Sequence, residues 1–262
     1  MELLNTWIYG GLSVFGLVGF VWLISLPLRN SSIMDIFWGL GFVVAGFAYY
    51  LQAGAGSARG WLLILALTLW GLRLSLHIGL RAIGKPEDAR YAAWRKEHGA
   101  SWWWQSFFRV FLLQGLILWV LSVPFLYAAQ VKAAPLWHWS DLAGLALFLV
   151  GFLFESIADA QLVSFKKREE NRGKVLDRGL WSITRHPNYF GEAVLWWGFF
   201  LIALPSAPWW TVYSPVLMTF LLVRVSGVRM LDSLLAETKP GYREYMNRTS
   251  GFIPWPKKKA EQ

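Results

Sequence analysis

The 262-residue chain has no cysteine. That excludes disulfides, thiolate nucleophiles and thiolate metal sites, and leaves the compartment open. Charge is also scarce: Asp, Glu, Lys and Arg make up 16%, against roughly 25% in a soluble domain. The four histidines (His77, His98, His138 and His186) are scattered, without H-E-x-x-H or a similar spacing, so no metal site is expected. No G-x-S-x-G suggests a serine nucleophile. No G-x-G-x-x-G or P-loop stands on a strand–turn–helix, so neither usual soluble nucleotide fold is expected. Residues Met1 to Thr6 carry Glu2 and no basic residue, so no cleavable signal peptide is expected. No convincing internal repeat occurs. The one low-complexity run, Lys257–Lys259, reads as a solvated or headgroup-facing tail.

What is abundant is oil. Hydrophobic residues make up 56% of the chain, with 18 Trp and 18 Phe, and several apolar runs approach the ~20 residues needed to cross a bilayer. The expected fold is all-α, a polytopic membrane helix bundle forming one integral domain with about seven transmembrane helices. The spans run roughly over 7–28, 33–52, 60–83, 107–130, 141–159, 187–205 and 209–231, followed by a polar tail. Twenty Lys and Arg fall in or at the edge of the 1–2, 3–4 and 5–6 connections and the tail, counting Arg81 and Arg229 at the cytoplasmic ends of their spans, against Arg59 and Lys132 on the other side; Arg73, Arg109 and Arg224 lie deeper within spans. Basic residues mark the cytoplasmic side, so the N-terminus is expected outside and the C-terminus in the cytoplasm. The same distribution explains the net charge of +9 without nucleic acid. The Trp102–Trp104 triplet and the Trp209–Trp210 pair fit interfacial belts.

The densest polar run is Gly179–Glu192, G-L-W-S-I-T-R-H-P-N-Y-F-G-E. Pro187 suits the first position of a helix, where its missing N–H costs nothing, with His186 as the cap. Asn188 and Glu192 then share one face. Glu155 and Asp159 form a second such pair, at the inner end of span 5. Arg73, His77 and Arg81 form a stripe on span 3, where Arg73 lies about 15 Å from the cytoplasmic end at 1.5 Å per residue. Asp35 sits at the inner start of span 2. Ionisable groups inside a membrane are functional candidates by default, and all of these fall in the cytoplasmic half, where they are expected to converge on one cavity. The bland alternative is an interhelical lock, such as Arg73 with Glu155 or Glu192. Between spans 5 and 6 lies a basic loop with Lys166, Lys167, Arg168, Arg172 and Lys174, suited to a phosphate or pyrophosphate, although cytoplasmic loops are basic for topological reasons alone.

The run G-L-W-S-I-T-R-H-P-N-Y-F-G-E, the preceding A-D-A-Q-L-V-S-F-K and the closing Y-R-E-Y-M-N-R-T-S-G-F-I-P together resemble the steroid 5α-reductase-like superfamily, in its branch of largely uncharacterised membrane proteins. The resemblance covers most of the chain and is strongest over 152–254. It implies NADPH held in the cytoplasmic half of a helix bundle. Asn188 and Glu192 would hold the nicotinamide end with Asp159 nearby, and Tyr245 would contact the cofactor. Lys166, Lys167, Arg168 and Arg185 would serve the phosphates. Trp181 and Tyr189 would line the pocket beside His186, and Arg73 resembles a cofactor-binding arginine. The chain departs from the characterised reductases where a Gln-Glu pair in span 2 and a Tyr in span 3 polarise the substrate ketone: here stand Asp35, Trp38 and Trp70. The catalytic candidates are Asp35, which serves only in protonated form, and His77. The expected activity is NADPH-dependent reduction of a conjugated C=C in an apolar enone, steroid or sterol-like lipid supplied by the bilayer, in a bacterial inner membrane or the endoplasmic reticulum, with the cofactor site facing the cytoplasm. Related sequences share versions of R-H-P-x-Y with isoprenylcysteine carboxyl methyltransferases, so an S-adenosylmethionine-dependent methyltransferase is the chief alternative, and a non-enzymatic lipid-binding protein the third.

Overall fold

The computed structural model describes residues 1–54, 56–132, 138–225 and 227–257. The Lys257–Lys259 run therefore lies, except for Lys257, outside the described residues. Every regular element among them is helical, and six helical stretches are long and apolar enough to cross a membrane: Glu2–Leu28, Ile33–Ala53, Ala58–Ala82, Ala89–Leu121, Trp139–Lys167 and Trp209–Thr238. Pro187–Ala203, the sixth of the seven expected spans, is a helix of 17 residues, which is about 25 Å at 1.5 Å per residue. The chain falls into two compact units, the first made of 1–138 and 203–211, the second of 139–202 and 212–262.

In the first unit, α1 (Glu2–Leu28), α2 (Ile33–Ala53) and α3 (Ala58–Ala82) follow one another through short turns. α2 packs against both neighbours. Its approach to α3 is set by glycine: a Cβ on Gly39 would lie 2.6 Å from the Gly71 carbonyl oxygen, so the two backbones touch. The polar 3–4 connection is itself partly helical. α4 (Ala89–His98) is capped by Asp88, whose carboxylate accepts from the Arg90 N–H, as an N-cap should. The fourth span is not one helix. α5 (Trp102–Ser106) runs into a π-helical stretch at Phe107–Leu112, then α6 (Leu113–Leu121). Pro124 in the first turn of α7 (Val123–Gln130) separates α6 from α7, because a proline can open a helix but not continue one. The tryptophan triplet divides: Trp103 and Trp104 are exposed, while Trp102 is buried and donates its indole N–H to Ser31.

The second unit opens with α8 (Trp139–Lys167), which starts two residues before the expected span and ends eight residues beyond it. Lys166 and Lys167 thus belong to the last turn of a helix and not to a loop; two lysines there complement the negative end of the helix dipole. α9 (Pro187–Ala203) packs on α8 through two glycine pairs. A Cβ on Gly144 would lie 2.7 Å from the Gly198 carbonyl oxygen, and one on Gly151 would lie 2.5 Å from that of Gly191. Seven residues separate the glycines on each helix, in opposite order, so the helices run antiparallel with backbones in contact. Small residues of this kind let membrane helices approach closely. α10 (Tyr213–Phe220) runs into a second π-helical stretch at Leu221–Val225. The polar tail is not an extended segment: it contains α11 (Val228–Thr238) and α12 (Tyr242–Arg248).

Contact at Gly151 is specific enough to test. Gly151→Ala should lower the stability of the detergent-solubilised protein by about 1–3 kcal/mol, the usual cost of overpacking. Gly19→Ala on α1, where a Cβ meets nothing within 4 Å, should leave the melting temperature unchanged or raise it slightly. Equal effects of the two substitutions would contradict the packing described.

Candidate functional site

The polar features singled out in the second unit come together around the N-terminal end of α9. His186 is its cap, since its carbonyl accepts the first i+4 bond from the Phe190 N–H. The turn before it, Gly179–Ser182, is held to α8 by two side chains. The Gln161 carboxamide oxygen accepts from the Leu180 N–H at 3.0 Å. The Trp181 indole donates to the Ala158 carbonyl at 3.0 Å. Gly179 has φ +62°, a conformation that favours glycine, and a Cβ there would lie 2.5 Å from the Gln161 amide, so any other residue would displace the side chain that holds the turn. The A-D-A-Q and G-L-W-S segments are therefore two halves of one joint.

The third part is the C-terminal segment, which folds back on the joint. The Arg185 N–H donates to the Ser250 carbonyl and the Trp255 N–H to that of Ile183. Thr184 donates its hydroxyl to the Phe252 carbonyl. The Tyr245 hydroxyl donates to the Trp181 carbonyl. At the centre lies Asp232 of α11. It accepts from the Arg185 guanidinium at 2.6 Å, meets His186 Nε2 at 2.9 Å and accepts from the Tyr242 hydroxyl at 2.7 Å. Arg185 also donates to the Met246 and Thr249 carbonyls. The tyrosines are fixed as neutral phenols: burial, and for Tyr242 the Asp232 carboxylate it bonds, push both well above the usual tyrosine range.

Of the residues expected at a cofactor, the structure brings Asp159, Trp181, Arg185, His186, Asn188, Tyr189 and Tyr245 into this joint. Tyr189 stacks on the His186 ring at 5.6 Å between centroids. Asn188 donates through its amide nitrogen to Asp159 at 3.3 Å, and its amide oxygen is buried with no hydrogen-bond partner among the described residues. Glu192 stands one turn further along α9, 7% exposed, and Glu155 and Asp159 on α8 are equally buried. The guanidinium of Arg185, by contrast, is enclosed by protein acceptors. Lys166, Lys167 and Arg168 are exposed around the C-terminal end of α8, about 12 Å along the helix from Asp159 by the 1.5 Å rise.

In the first unit Asp35 has company that its sequence neighbourhood does not announce. It accepts from the Tyr91 hydroxyl at 2.7 Å, the Arg90 guanidinium at 3.2 Å and the Gln114 amide at 3.4 Å. Arg73 and His77 are half-buried on α3. Residues that sequence reasoning did not single out are Asp232, Tyr242, Gln161, Tyr91 and Gln114. Of these, Gln161 and Tyr242 stand inside the sequence motifs that carry the resemblance, and the other three stand in none.

Residues 21–249 match the model of a family described as a protein of unknown function, DUF1295. The chain belongs to that family, which is part of the steroid 5-alpha-reductase-like superfamily. It is 25% identical over 281 aligned positions to an uncharacterised protein of Schizosaccharomyces pombe, covering 95% of this chain and 80% of that one. It is also similar to two proteins named steroid 5-alpha-reductase DET2. The match to the Gossypium hirsutum protein is 41% identical over 72 residues, 28% of each chain. The match to the Arabidopsis thaliana protein is 42% identical over 62 residues, 23% of each chain. The chain thus aligns with about a quarter of the reductases it resembles. No solved structure matches it. Family and apolar helices together make it an integral membrane protein.

The Asp232 centre predicts a specific failure. Asp232→Ala would leave a buried guanidinium, imidazole and phenol without their shared acceptor, at a cost of about 3–5 kcal/mol. Hydrogen–deuterium exchange should then accelerate across 228–252 and 183–186 while α1–α3 keep their protection. Unchanged exchange in the C-terminal segment would refute the role assigned to Asp232.

Proposed function

We propose that this chain is an NADPH-dependent reductase of an apolar, bilayer-dissolved enone of steroid or sterol-like type. The observation that carries the proposal is the orientation of Asn188. Its amide nitrogen is committed to Asp159, so its buried oxygen is presented as an acceptor without a donor. A buried amide oxygen left without a donor is costly, and the carboxamide N–H of a nicotinamide supplies one. The similarity to steroid 5-alpha-reductases supports the same reading.

NADPH when bound would supply hydride for the β-carbon of a conjugated C=C, while a proton reaches the α-carbon. In this reading Asn188 accepts the carboxamide N–H, and Asp159 fixes which end of the Asn188 amide faces the cofactor. Glu192, buried one turn on, offers a second acceptor. Trp181, Tyr189 and Tyr245 give the pocket an aromatic wall, each tied to the backbone or to His186. Arg185 and His186 are positioning residues: through Asp232 they hold the start of α9 against the C-terminal segment. Lys166, Lys167 and Arg168 offer positive charge to the cofactor phosphates at the cytoplasmic surface. Arg73 is proposed as a further cofactor contact. Asp35 and His77 are proposed as acid candidates, and Tyr91 joins Asp35, because that pair carries a hydroxyl proton between two oxygens 2.7 Å apart. The N-terminus is proposed to face outward and the C-terminus the cytoplasm.

Binding of NADPH, NADH and S-adenosylmethionine to the purified protein tests the proposal. NADPH should bind, and an Asn188→Ala/Glu192→Ala variant should weaken it at least about tenfold, as loss of one good hydrogen bond implies, with the fold intact by circular dichroism. Binding of S-adenosylmethionine in place of NADPH would turn the assignment to a methyltransferase, and binding of neither would turn it to a lipid-binding protein.

A further inference from the structure

We infer that the first unit carries a separate site for the phosphate of an anionic phospholipid headgroup. The site is a cavity of about 500 Å³ where the C-terminal end of α1 meets the end of α4 and the start of α5, lined by Arg29, Ser31, Arg95, Trp102 and Trp103 among others.

Its floor is built and its charge is uncommitted. Arg29 caps α1 with φ +48°, the one positive-φ residue other than glycine among those described. The left-handed region is uncommon for a side chain of this size, and the turn it makes brings Arg29 to the cavity. The Arg29 guanidinium has no ion-pair partner among the described residues. Arg95 is held in place by Glu87 through two bonds of 2.8 and 2.9 Å, and by Ser31 at 3.3 Å. Those bonds use Nε and Nη2, so Nη1 is left to a ligand. Ser31 accepts from both Arg95 and Trp102, which frees its own O–H to donate. One glutamate against two arginines leaves the cavity with net positive charge. Arginine is the side chain best matched to phosphate oxygens.

The rim says what kind of phosphate. Trp103 and Leu26 line the cavity with apolar surface; Trp103 is 57% exposed, and α1 and the segment after α5 carry further exposed apolar side chains at Leu23, Leu28 and Phe108. An aromatic and aliphatic rim above arginines is the arrangement of a membrane interface, where tryptophan sits at headgroup level. Basic pockets between helices bind anionic headgroups there. A free phosphate would use the arginines and gain nothing from the rim. A lipid uses both, laying its acyl chains along α1. This inference does not depend on the reductase reading.

Native mass spectrometry of the full chain, released from micelles containing phosphatidylglycerol and phosphatidylcholine, provides the test. The wild-type protein should retain phosphatidylglycerol in preference. Arg29→Asn keeps a residue that tolerates the left-handed backbone, and should reduce that preference roughly fivefold, the worth of one basic residue near an anionic lipid, with Arg29→Lys largely restoring it. Trp103→Ala should also weaken retention; the bond from the Trp22 indole to position 103 uses the backbone carbonyl and survives. Excess inorganic phosphate should not displace the lipid. Equal retention of the two lipids by the wild type, an unaltered preference in both Arg29→Asn and Trp103→Ala, or displacement by inorganic phosphate would each overturn the inference.

Discussion

Asp232 is one carboxylate shared by a guanidinium, an imidazole and a phenol, and the second unit depends on it. The three donors come from two places 56 to 57 residues apart in number: Arg185 and His186 at the mouth of α9, Tyr242 at the start of α12. A buried carboxylate is costly unless every lone pair is used, and here two oxygens take bonds from three side chains. Removing the acceptor leaves three polar groups stranded, so the knot is held by the cost of opening it more than by the gain of closing it. Once closed, it fixes the direction in which α9 leaves. That direction sets where Asn188 and Glu192 face.

The helices that carry the polar groups are brought together by the absence of side chains elsewhere. Gly144 and Gly151 against Gly198 and Gly191 let α8 and α9 touch by their backbones, which places Asp159 within reach of Asn188. In the first unit Gly39 and Gly71 do the same for α2 and α3. In a bilayer the apolar effect does not drive helices together, so close packing and polar bonds must. The two devices divide the work: glycine sets the distance, and Asp159, Gln161 and Trp181 set the register.

Much of this was legible in the sequence where the signal is local. Apolar runs set off by polar or Gly/Ser-rich sequence place α2, α3 and the end of α1 within two residues of their observed limits, while α1 starts five residues earlier than expected, and Pro187 marks the start of α9. The length of α8 was missed because charge was read as loop, whereas Lys166 and Lys167 continue the helix with Phe165 buried beneath them. The fourth span was read as continuous because a π-helical stretch leaves hydropathy unchanged. α11 and α12 were read as tail because their composition is polar. Asp232 has no motif of its own, and two of its three partners, Arg185 and His186, are more than forty residues away; Asp35 and Tyr91 are 56 apart. Arg185 could be placed at the right spot by its motif. That its guanidinium is enclosed by Asp232, Met246 and Thr249 is a fact of folding that no spacing reveals.

The most direct measurement of the central claim, that the joint around Asn188 is a cofactor pocket, is hydrogen–deuterium exchange of the wild-type protein with and without NADPH. The account predicts that NADPH slows exchange together in 158–161, 179–192 and 242–252, the three segments that build the joint. Protection confined to other parts of the chain, or no protection at saturating NADPH, would contradict it.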